Sequence, residues 1–66
     1  MKFKDRIKEL RISKNLSQQQ LADKLGLSQS AVAKWEVGKT EPTASAIIAI
    51  AKFFNETTDY ILGLED

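Results

Sequence analysis

The chain has no cysteine and no histidine among its 66 residues. Without cysteine, no disulfide can brace it. Without either residue type, a zinc site built from His or Cys is excluded, and so is a His-based catalytic triad. No nucleophile–base pair, carboxylate cluster or phosphate-cradling glycine loop stands out, so nothing points to an enzyme, a metal or a cofactor. No apolar run is long enough for a membrane span or a secretory signal, and the expected compartment is the cytoplasm. No stretch alternates apolar and polar residues as a strand does. The chain is expected to form one domain over residues 1–66, and at this length folding buries only about 60% of the unfolded surface, which leaves a thin stability margin.

Charge is unevenly placed, although the net charge is only +1. Residues 1–14 carry +4, from Lys2, Lys4, Arg6, Lys8, Arg11 and Lys14 against Asp5 and Glu9. Residues 53–66 carry −4, from Glu56, Asp59, Glu65 and Asp66. A domain with one basic end and one acidic end can turn a single side to a phosphate backbone. The same basic residues also fit a solvated helix face.

What remains is helical, in five segments. Phe3, Ile7 and Leu10 have helical spacing up to about Lys14, and Asn15 ends the segment. Ser17 with Gln20 three residues later forms a capping-box pattern, and Leu21, Ala22 and Leu25 make the inner face behind it. Gly26 stops this second helix, and Ser28 caps a third running to about Val37, with Val32 and Trp35 inward and Gly38 closing it. Pro42 keeps Glu41 out of a helix. Thr43 caps a fourth helix reaching about Phe54, with Ala44, Ile47, Ile50, Ala51 and Phe54 as its inward stripe and Asn55 as its end. Thr57 or Thr58 opens a short last helix holding Ile61 and Leu62, stopped by Gly63.

Residues 17–38 carry the functional signal. Two short helices meet over a tight turn, with small Ala22 where backbones approach and Gly26 in the turn. Leu21, Leu25, Leu27, Val32 and Trp35 supply apolar positions to hold the pair onto the fold. No charge interrupts an inward position, and Trp35 belongs among them as core. This is how a helix is offered to the major groove of DNA. The stretches Leu16-Ser17-Gln18-Gln19-Gln20-Leu21-Ala22, Gly26-Leu27-Ser28-Gln29, Trp35-Glu36-Val37-Gly38-Lys39 and Glu41-Pro42-Thr43 resemble the Cro and phage-repressor, or XRE, family. The likeness runs from about Ile7 to Gly63. It implies an all-α, compact five-helix bundle, a homodimer on a palindromic double-stranded DNA operator, and transcriptional regulation, most often repression. It also implies a bacterial or phage-encoded protein that joins the nucleoid when bound. Glu56 departs from the family, which generally has an apolar residue there.

The first turn of a recognition helix points at base edges. Here that turn holds Gln29 and Ser30, with Ala33 and Lys34 one turn further on. Gln pairs bidentately with adenine, Lys reaches guanine acceptors, and Ala packs on a thymine methyl. Phosphate contacts are expected from Gln18 at a helix N-terminus, where the dipole favours an anion, and from Ser28, Lys39, Thr40 and Arg6. The resemblance implies the Gln18 contact too, and gives Arg11 and Glu36 a structural role as a partly buried ion pair. The alternative for Arg11 is a phosphate contact. In the fourth helix, Ala46, Ala49 and Phe53 form a second apolar stripe, extended by Tyr60 and Leu64. Such a stripe suits a partner surface, and Ala49, Phe53, Tyr60 and Leu64 are the expected dimer interface. A competing hypothesis is a protein-interaction module, antitoxin-like or a regulatory subunit, docking through helices four and five.

Overall fold

The computed structural model describes residues 2–65. Five helices follow one another: α1 (Phe3–Ser13), α2 (Gln18–Leu25), α3 (Gln29–Glu36), α4 (Ala44–Phe54) and α5 (Thr58–Leu62), and no strand occurs among the described residues. None of these helices is long and apolar enough to cross a membrane. Asp66, part of the acidic end, lies outside the described residues.

Side-chain caps set the starts of most helices, and backbone conformation sets their ends. Ser17, Ser28, Thr43 and Thr57 sit in extended backbone, and each accepts a hydrogen bond from the N–H three residues on. These bonds satisfy donors that the helix itself leaves free. At Ser17 the box is reciprocal: its own N–H donates to Gln20 Oε1 at 2.8 Å, and Gln20 N–H donates to Ser17 Oγ at 3.0 Å. Every helix is followed by a residue with positive φ: Asn15, Gly26, Gly38, Asn55 and Gly63. The next N–H then reaches back five residues, as from Leu27 to the Ala22 carbonyl and Glu56 to the Ala51 carbonyl, both at 2.9 Å. That closure satisfies the last carbonyls. Glu56 serves it through its backbone and leaves its side chain exposed, so an apolar residue is not needed there.

The core gathers Phe3 and Ile7 of α1, Leu21 and Ala22 of α2, Val32 and Trp35 of α3, Ala46, Ile50, Ala51 and Phe54 of α4, and Ile61 of α5. Phe3 meets Trp35 edge to face, with centroids 5.7 Å apart, which pins the start of α1 to the end of α3. At Gly63 the chain's two ends pack together: a Cβ there would lie 2.6 Å from Lys2 Cβ, and φ is +79°, so only glycine fits.

The phase of α4 differs from the sequence expectation. Ala46, expected outward, is core at 9% exposure, and Ala44, expected inward, is exposed. The inward row runs Ala46, Ile50, Phe54 at i, i+4, i+8. Because Ala, Ile and Phe occur all round this helix, spacing alone did not single out that row. The large apolar residue that α4 turns outward is Ile48, 49% exposed. Leu27, expected to hold the turn onto the core, is also exposed, and its backbone closes the turn instead.

Candidate nucleic-acid interface

α2 and α3 pack against each other across the turn at Gly26, Leu27 and Ser28. Val32 and Trp35 turn α3 inward, which leaves the opposite row, Ser30, Ala33, Lys34 and Val37, on the outside at helical spacing. Ser30 and Lys34 are exposed and Ala33 is half-buried. Gln29, exposed at the first position of α3, lies on the edge next to this row. The four residues expected to read bases are therefore together on one helix face and edge.

A chain of polar contacts lies along that edge. Arg11 of α1 grips Glu36 at the end of α3 through two parallel bonds, Nε to Oε2 at 2.7 Å and Nη2 to Oε1 at 2.9 Å. Its Nη1 donates to the Leu16 carbonyl at 2.8 Å, tying the loop before α2 to the same pair. The two side chains are 13% and 4% exposed. Hydrogen bonding to Glu36 holds the Arg11 guanidinium above its ordinary pKa, against the opposing effect of burial. Arg11 is engaged inside the fold, which favours the structural role over a phosphate contact. Gln18, half-buried at the start of α2, donates from Nε2 to Glu36 Oε1 at 3.2 Å. Gln29 donates from Nε2 to Gln18 Oε1 at 2.7 Å.

Ser28 caps α3 and is exposed, and Lys39 and Thr40 are exposed just past α3, their N–H groups directed at the Lys34 carbonyl. Arg6 sits apart from this group. Its guanidinium stacks on the Tyr60 ring at 4.0 Å and its Nη2 donates to the Glu65 carbonyl at 3.3 Å. Arg6 thus holds α5 and the segment after it onto α1, which favours a structural role over the expected phosphate contact. Tyr60 shares in that contact, Phe53 packs edge to face on Phe54 at 4.9 Å, Ala49 is half-buried and Leu64 is exposed.

Sequence reasoning missed three features here. Val37, 71% exposed, extends the outward row of α3, a role that its place at the helix end hides in the sequence. The Gln18 link to Glu36 depends on how α2 crosses α3, and no local spacing encodes it. The Arg6–Tyr60 stack joins opposite ends of the chain, with no signal in either segment.

The helix-turn-helix family model matches residues 7–61. The chain is similar to the HTH-type transcriptional activator BcrR of Enterococcus faecalis, 42% identical over all of this chain and 32% of that protein. It is also similar to the HTH-type transcriptional regulator AnsR of Bacillus subtilis, 43% identical over 92% of this chain and 53% of that protein. The chain therefore spans about a third to a half of the length of these relatives. Among solved structures, the P22 c2 repressor protein in complex with synthetic operator 9T superposes with a TM-score of 0.84 at 29% identity, covering 89% of each chain. With the capped helix pair, the outward row of α3 and the family match over nearly the whole chain in agreement, this protein belongs to the XRE-type helix-turn-helix family of transcriptional regulators.

Proposed function

We propose that this domain binds double-stranded DNA at specific sequences by laying α3 in the major groove, and that it regulates transcription as a homodimer on a palindromic operator. Gln29, Ser30, Ala33 and Lys34 read base edges. Gln18, Ser28, Lys39 and Thr40 hold phosphates on either side, adding affinity and salt dependence but little sequence information. Ala49, Phe53, Tyr60 and Leu64 form the surface between the two copies, spacing the recognition helices about 34 Å apart. Covering a promoter in this way represses it.

The observation that carries this reading is the row Ser30, Ala33, Lys34 on the outside of α3, beside a Gln29 whose amide is already held by Gln18 at 2.7 Å. Positioned polar groups on a rigid helix are what groove recognition requires. The likeness to a repressor studied in complex with an operator supports it. The test is selection from a random duplex library at a fixed salt concentration, with Gln29→Ala/Lys34→Ala run beside the wild type. A palindromic motif for the wild type, lost in a variant that still folds, is the expected result. No motif from either protein would favour the protein-interaction reading through α4 and α5.

A further inference from the structure

We propose that Glu36 sets which way round the Gln29 amide faces the DNA, and through that orientation sets the base Gln29 prefers. The proposal rests on the placing of Gln29 at a base edge. Glu36 itself does not touch the DNA; it is a positioning residue acting through Gln18.

Donors and acceptors along this series can match in one order only. A carboxylate only accepts hydrogen bonds. Arg11 fixes the Glu36 carboxylate with bonds to both oxygens, at 2.7 and 2.9 Å. Gln18 lies 3.2 Å from Oε1 of that carboxylate, so it must turn its Nε2 there and its own oxygen away. That oxygen also only accepts, so Gln29, 2.7 Å from it, must turn its Nε2 there in turn. A Gln29 turned the other way would set its Oε1 against Gln18 Oε1, acceptor to acceptor. The charge on Glu36 thereby orders two neutral amides in series.

The geometry of α3 makes the series possible. Gln29 and Glu36 stand at i and i+7, two turns apart on one edge of the helix, and Gln18 of α2 fills the gap between them. With one Nε2 hydrogen committed to Gln18, the Gln29 amide keeps one donor hydrogen and an oxygen acceptor side by side, in a fixed order. That pair complements adenine, which offers N7 as acceptor and N6 as donor in the major groove. Guanine offers two acceptors, N7 and O6, and a donor–acceptor pair meets only one of them. The other Nε2 hydrogen of Gln18 remains available to a phosphate.

Two variants test this. Glu36→Gln keeps an acceptor for Arg11 but adds an NH2 that can donate to Gln18, so both amides become free to turn. Gln18→Met removes the middle link and leaves the Arg11–Glu36 pair in place, which keeps the test open should Glu36→Gln fail to fold. The first measurement needs no DNA: the side-chain amide resonances of Gln18 and Gln29 and their exchange with solvent. Exchange of the Gln29 amide hydrogens should be slowed in the wild type and severalfold faster in both variants. The second is library selection. At the base pair facing Gln29 the wild type should favour adenine over guanine by about tenfold or more, and the folded variants by no more than about twofold, with preferences at other positions kept. A role confined to stability or to phosphate contact would lower affinity evenly and leave that preference intact. An undiminished adenine preference in a folded Gln18→Met protein overturns the proposal. A wild type with no preference at that pair, but with the amide response present, overturns the place of Gln29 at the base and the proposal with it, while the hydrogen-bond series stands.

Discussion

Along the edge where α2 meets α3, four polar side chains touch in series, Arg11 to Glu36 to Gln18 to Gln29. Along the flank where α4 meets α5, order comes from Ile50, Phe54 and Ile61 buried side by side and from the edge-to-face pair Phe53–Phe54. The two regions differ in what their contacts can specify. Apolar burial contributes about 25 cal/mol per Å² and has no direction. A hydrogen bond contributes only about 1 kcal/mol net, but it fixes which atom faces which. The apolar core, of which this flank is one part, therefore supplies most of the stability, and the polar edge supplies orientation to the helix face beside it.

Substitutions can separate these contributions. The largest effect is expected from Ile50→Ala, which opens a cavity in the core and should cost about 4 kcal/mol in denaturant unfolding. Selectivity for DNA in the remaining folded fraction should not change; a shifted base preference would break the division between the two regions. Arg11→Met strands the Glu36 carboxylate and should cost about 3 kcal/mol. A loss under about 1 kcal/mol would mean that the pair behaves like an exposed one. Phe53→Glu should weaken self-association by about tenfold or more in sedimentation while a thermal melt still shows a folded monomer. Normal dimerisation would remove this flank from the interface. The smallest effect is Lys39→Ala: binding weakens by a similar factor on every sequence, and the slope of log affinity against log salt falls by about one.

Much of this molecule is legible in its sequence, for a local reason. Ser17, Ser28, Thr43 and Thr57 cap through bonds spanning three residues, and Asn15, Gly26, Asn55 and Gly63 end helices by their own backbone preference, so every helix appears close to its expected bounds. The outward row of α3 follows from Val32 and Trp35 lying inward. The phase of α4 was not legible, because an apolar residue at nearly every position from Ala44 to Phe54 leaves no contrast between faces. The Arg11–Glu36 pair was expected from family resemblance. Gln18 on Glu36, and Arg6 on Tyr60, are set by the angles at which helices cross, which short-range patterns do not carry.

The proposed DNA interface is the polar edge together with the outer row of α3, and not the α4–α5 flank. The direct measurement is a titration of ¹⁵N-labelled protein with a duplex of about 20 base pairs, followed by backbone and side-chain amide shifts. The largest changes are expected at Gln18, Ser28, Gln29, Ser30, Ala33, Lys34, Lys39 and Thr40, with the Gln18 and Gln29 side-chain amides among them. Changes centred on Ile48, Phe53 and Tyr60 that leave α3 unmoved would contradict it.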